Sequence, residues 1–243
     1  LTSGDYNTTL GYNAGSALTT GVRNVIIGSN AGDAMVQGSS NVIIGDEALG
    51  GGVFTSSKLV AIGRNAGFDL TSANNTTLVG YEAGQNITTG AGNTAIGTNS
   101  LDLCDTEGNN LAVGVDAMHG SINGGEYNVA IGNATLDALT SADNCVAVGY
   151  NALTDCTTGG KNTAVGYEAL ANVVGGVSNV GLGHAAGLTI TSGSNNICIG
   201  LDAGNSGSPG GALGTGDNQL CLGDENITNA HVQVDWTVAS DKR

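Results

Sequence analysis

Asn162-Thr163-Ala164-Val165-Gly166-Tyr167-Glu168-Ala169-Leu170 opens with three residues of strand character, bends at a glycine and runs on into turn-forming sequence. Its core phrase, Asn-x-x-Ile/Val-Gly with close replacements, returns along the whole chain. The bend glycines are Gly11, Gly28, Gly45, Gly63, Gly80, Gly97, Gly114, Gly132, Gly149, Gly166, Gly183, Gly200 and Gly223, spaced by 17 or 18 residues until a last interval of 23. A fixed period of this kind is the mark of a repeat architecture and is read before any single element. The residue before each glycine is aliphatic, from Leu10 to Leu222, and two residues earlier stands Thr, Val, Ile or Leu, as in Val25, Thr94 and Leu220. Side chains alternate along a strand, so these two positions share one face. A helix needs apolar residues every three or four positions over ten or more residues, which a unit this short and rich in turn formers does not offer.

The unit is therefore one coil of a parallel β-solenoid, and the fold class is all-β: about 13 coils of a 17–18-residue repeat over residues 1–227, followed by a C-terminal strand and junction over 228–243. At ~4.8 Å per stacked strand the rod is about 60 Å long.

Composition agrees. Of 243 residues 42 are glycine and 1 is proline, and acidic side chains outnumber basic ones by 21 to 6. The net charge of −15 leaves no basic surface to replace phosphate counterions, which excludes a nucleic-acid partner. No apolar run approaches the ~20 residues that span a bilayer, so membrane insertion is not expected. With Leu1 in place of an initiator methionine, the chain is expected to be a piece of a longer polypeptide.

The residue between the two aliphatic strand positions should point out of the coil. It is almost never polar and is small in much of the chain: Ala95, Ala112, Ala130, Ala147, Ala164, Cys198, Cys221. A strand apolar on both faces is buried on both, and we read this stripe as the contact between subunits. The alternative is a flattened roll in which the stripe faces the coil's own second wall.

Two polar ladders support stacking in register. Four residues before the bend glycine, nine copies carry asparagine, among them Asn110, Asn128 and Asn162, and stacked amides can hydrogen-bond along the column. Two residues after the glycine the column alternates carboxylates with Asn or Ala, and no two carboxylates are neighbours until Asp202 and Glu225. Like charges directly opposed across strands repel, so a stacked column requires such spacing.

Chemistry is sparse. The chain has no cofactor motif, and the Gly-Gly-x-Gly-x-Asp pattern of calcium rolls is absent, leaving only the acidic loop Asp102, Asp105, Glu107. The histidines, His119, His184 and His231, are isolated, and no metal site is expected. Five cysteines without CxxC spacing read as buried free thiols, with Cys198 and Cys221 in equivalent places of adjacent coils. Tyr150 and Tyr167 are ladder neighbours that could take sugar faces or only shield coil edges, and Phe54 and Phe68 lie in loops where an exposed aromatic is a contact candidate. The insert from Asn205 to Gly216 leaves the solenoid surface, as a functional loop or a passive bulge.

The unit from Asn162 to Leu170, and Asn93-Thr94-Ala95-Ile96-Gly97, resemble repeats of bacteriophage tail-fibre proteins, especially those of marine phages, and more loosely the Ala-Ile-Gly coils of trimeric autotransporter adhesin heads. The segment from Trp236 to Arg243 resembles the junction into the intramolecular chaperone of endosialidase-type fibres, an autoprocessing peptidase domain. That resemblance places the family's serine at Ser240, with the paired lysine beyond Arg243. It implies a homotrimeric fibre segment made in the host cytoplasm and carried on the virion, with other tail proteins and a host-surface glycan or protein as partners. The chain itself is not expected to be an enzyme, apart from one self-cleavage near Ser240 that needs further residues. The other readings are the head of a bacterial surface adhesin and a glycan-degrading spike.

Overall fold

The computed structural model describes residues 4–208 and 210–229. Thirteen three-residue strands, from β1 (Thr8–Leu10) through β8 (Val129–Ile131) and β9 (Val146–Val148) to β12 (Ile197–Ile199) and β13 (Leu220–Leu222), form one parallel sheet in strict chain order. Each strand pairs in register with its counterpart one repeat later, Val129 with Val146 and Ala130 with Ala147, so the chain stacks on itself. The described residues contain no helix. The expected parallel β-solenoid is the fold.

The bend glycines are imposed by the stacking. From Gly11 to Gly183 they sit at φ between 134° and 147°, open to glycine alone, and a Cβ at Gly149 would lie 2.3 Å from the carbonyl oxygen of Gly166 in the next coil. Two residues later, Asn13 through Asp202 all have φ between 50° and 56°. Asn and Asp tolerate this left-handed region best, so backbone conformation selects that column as well as charge spacing. Amides also tie it from coil to coil, Asn99 Nδ2 donating to Asp116 Oδ1 at 3.0 Å.

The asparagine ladder is buried and bonds differently from a simple amide stack. Asn110 Nδ2 donates to the carbonyl of Gly125 at 2.9 Å, and its Oδ1 accepts the backbone N–H of Asn128 at 2.9 Å. Asn128 does the same toward Ala142 at 2.8 Å and Cys145 at 2.9 Å. Each amide thus satisfies one donor and one acceptor of the following coil where its backbone turns inward. Replacing Asn128 with alanine strands both groups inside the roll and is expected to cost about 2–4 kcal/mol. Faster hydrogen exchange at the Cys145 amide, with a lowered melting temperature, is the expected readout; unchanged exchange would rule out the tie.

The two faces of the strand are the reverse of the sequence expectation. The middle residue is buried inside the coil of a single chain: Ala95, Ala112, Ala130, Ala147, Ala164 and Cys198 have no exposed surface, and Cys221 is 7% exposed. The aliphatic residues on either side of it are the ones that face out, with Ile131 at 38% and Val165 at 40% exposure. The proposed subunit stripe is therefore the second-wall packing of a flattened roll, and these seven side chains are not available to another subunit.

A volume exchange across the roll explains why the stripe is small. The residue four past each bend glycine reaches the same interior. Where it is Leu101, Met118, Leu136, Leu153 or Leu170, all fully buried, the strand contributes only alanine. Where it is Gly15, Gly32 or Gly84, the strand side is Ile26, Ile43 or Leu78, and a Cβ on those glycines would come 2.9, 3.1 and 2.6 Å from the Ile26, Ile43 and Leu78 methyls. Near the C-terminal end Leu170 fills the space beside two glycines at once, since a Cβ on Gly181 or Gly187 would lie 2.7 or 2.5 Å from its side chain. From Ala95 to Leu170 one wall is traded against the other within each coil, and elsewhere a large side chain of an adjacent coil fills the space, as Leu49 and Leu78 do beside Gly67.

Candidate functional surfaces

The column one residue past the bend glycine carries the exposed tyrosines Tyr12, Tyr81, Tyr150 and Tyr167. Tyr150 and Tyr167 are brought together as their ladder positions required, with ring centroids 5.5 Å apart and planes at 16°. His184 extends the stack, 4.9 Å from Tyr167 at 14°. The stacking axis runs along the rod, so both faces of the Tyr167 ring are covered and only edges and hydroxyls remain exposed, at 49% for Tyr150 and 45% for Tyr167. A sugar ring therefore cannot lie flat on Tyr167, and this stack offers ring edges and hydrogen-bonding groups. Farther up the same column Arg64 sits 5.9 Å from the centre of the Tyr81 ring and 3.8 Å from Asp46.

Phe54 is fully buried and forms a parallel bridge with Met35, so it is a core residue and not a contact candidate. Phe68 is half-buried with its ring laid over Gly51, where a Cβ would come 2.6 Å from the ring. It seals a glycine-rich bend. Ser240, His231 and the segment from Trp236 to Arg243 lie outside the described residues.

The acidic loop resolves into separate duties. Glu107 is buried; that burial raises its pKa, but the N–H groups of Gly124 at 2.9 Å and Thr106 at 3.1 Å outweigh it and hold the carboxyl below its usual range. Asp105 accepts from the Thr88 hydroxyl instead. Among the described residues no group of three His, Cys, Asp or Glu side chains is placed to hold a metal ion. All five cysteines are free and buried; burial pushes the Cys198 thiol up to about 12, and Cys221, its partner in register, is raised as well.

Sequence reading missed one arrangement. His119 stands between carboxylates of the coils on either side, Nε2 3.6 Å from Asp102 Oδ1 and Nδ1 3.6 Å from Asp137 Oδ1. All three lie five residues past their bend glycines, Gly97, Gly114 and Gly132, so the spacing was readable once coils were aligned. Both facing oxygens are buried without a hydrogen-bond partner. Burial pushes Asp102 up to about 6 from 3.8, partly opposed by His119 and reinforced by Glu82; burial raises Asp137 too. A carboxyl with a raised folded-state pKa favours the fold fully below pH ~4, and that contribution is lost as pH climbs through ~6. Asp102→Asn is therefore expected to stabilise the rod by about 1–2 kcal/mol at pH 7.5 and by little at pH 4. Urea midpoints at the two pH values measure this, and an equal shift at both would refute it.

The insert after Asn205 is pinned at its base. Asn205 Nδ2 donates to the Ala185 carbonyl at 3.0 Å and to Asp202 Oδ1 at 3.2 Å, and Ser208 Oγ accepts from Gly204 N–H at 2.8 Å. It walls an open cleft of about 420 Å³ lined by Leu188, Thr189, Asp202, Asn205, Ser206, Gly207 and Glu225. The regular coil surface is broken here by two carboxylates and several neutral hydrogen-bonding groups.

No protein-family model, no curated protein and no solved structure matches the chain.

Proposed function

We propose that the chain is a structural and host-receptor-binding segment of a phage tail fibre, working as a homotrimer and matured by a C-terminal autoprocessing chaperone. The observation that carries this reading is the single unbroken sheet of thirteen strands, a stiff spacer whose every coil leans only on its neighbours. The repeats' likeness to phage tail fibres, and the likeness of Trp236–Arg243 to a chaperone junction, supply the setting. A dedicated chaperone suits the topology, because long-range parallel pairing folds slowly and leaves strand edges open meanwhile. Recognition would fall to features that interrupt the regular surface, the Tyr150–Tyr167–His184 column and the cleft beside Asp202 and Glu225.

The test is the particle mass in solution of a chain carrying its native continuation past Arg243. Three chains per particle, with a shorter product released near Ser240, is the expected result. A single-chain mass without processing would overturn the proposal, and a coiled coil and membrane barrel in place of a chaperone would move it to a surface adhesin.

A further inference from the structure

Turning the strands over leaves an apolar face with no cover. One outward column runs from Val25 through Val129 and Val146 to Leu220, the other from Ile27 through Ile131 and Val165 to Leu222. In thirteen coils neither column holds a charged residue, and the only polar ones are Thr8, Thr77, Thr94 and Thr163. These side chains are partly covered by one another and none is fully buried, with Ile96, Ile197 and Ile199 at 40, 40 and 42% exposure.

We propose that this face is where copies of the chain meet, packed side by side around a common axis with equal coils at equal height. The inference rests on the homotrimeric fibre reading and supplies its contact surface.

Three features select a second copy as occupant. First, pitch: the ridges repeat once per strand over the full sheet, and an identical rod matches that spacing along its whole length. Second, charge: each chain carries −15, so two copies repel unless they meet where charge is missing, and this face carries none. Third, area: ~60 Å of length and about 12 Å of width give roughly 700 Å² per copy, about 350 Å² toward each of two neighbours and about 2,100 Å² over a closed ring of three, so the contact is sufficient as a ring and not as an isolated pair.

The face has two flanks, one per column. Setting the Val25 column of one copy against the Ile27 column of the next is a head-to-tail contact, which closes as a ring when the rotation allows. Three copies close it with both columns of each chain covered.

The experiment compares three versions of the full chain by light scattering and far-UV circular dichroism. Wild type is expected at three chains. Ile131→Lys combined with Val165→Lys is expected to fall to one-third of that mass with an unchanged β-spectrum, because both side chains already reach solvent in the single rod. Thr158→Lys, exposed on a different wall, is expected to stay at three chains. A three-chain mass for the double-lysine variant would overturn the assignment of the face while leaving the fibre reading standing. A single-chain wild type would sink both. Should the double-lysine protein misfold, Ile131→Cys treated with a short bismaleimide decides instead: chain-to-chain linkage supports the face, and its absence in a three-chain particle overturns it.

Discussion

Gly149→Ala is expected to split the rod. The new methyl would stand 2.3 Å from the Gly166 carbonyl oxygen, a distance at which one coil must lift off the next. The backbone there, at φ 136°, is also closed to alanine. Neither strain can be relieved by a side-chain rotation, so the cost is on the order of 3–5 kcal/mol, at the upper end for point substitutions. Since each coil touches only its neighbours, damage should stay local and turn one cooperative melt into two. Gly175→Ala is the control: its added Cβ meets only the Thr158 hydroxyl, at 3.6 Å, in ordinary contact. Calorimetry on both variants checks the claim. A single unshifted transition for Gly149→Ala would mean the coils are not packed backbone to backbone.

Ala147→Glu carries the second large effect. Ala147 has no exposed surface and lies in register with Ala130 and Ala164. A carboxylate there has no partner within a thin apolar interior, and the fold must lose several kcal/mol or expel the coil. This outcome differs in kind from loss of assembly. The variant should lose β-signal and melt early at any protein concentration, whereas charges on the outward columns should alter only the particle mass. If Ala147→Glu keeps its spectrum and melting temperature, the inward assignment is wrong.

These two positions also show how far the sequence could be read. The bend glycines and the period established the solenoid, because only a stacked coil demands a residue without Cβ at one fixed phase. The asparagine column was recognisable for the same reason, though its bonding to backbone groups was not. The facing of the strand failed because period-two alternation says that Ala147 and Val148 point opposite ways without saying which way is in. The larger side chains were assigned to the interior by their bulk. What decides it is the volume supplied by Leu136, Leu153 and Leu170 from the other wall, a correlation present in the sequence from Ala95 to Leu170 and absent in repeats such as Ile43 with Leu49 or Ala61 with Gly67. Phe54 misled in a similar way: loop placement suggested exposure, while its bridge to Met35 makes that loop part of the interior. The cleft beside Asp202 and Glu225 depends on how the insert folds back, which composition does not encode.

The volume exchange across the roll also bears on how such a rod can change length. A duplicate of residues 154–170 placed after Leu170 would set alanine and leucine layers against their like and lengthen the shaft by one step. A duplicate of residues 171–187 placed after Gly187 would juxtapose two layers that each offer glycine from both walls, Gly181 and Gly187, where Leu170, Ile190 and Cys198 now fill the space of one. Growth by copying is thus open in one stretch of the shaft and closed a single coil away.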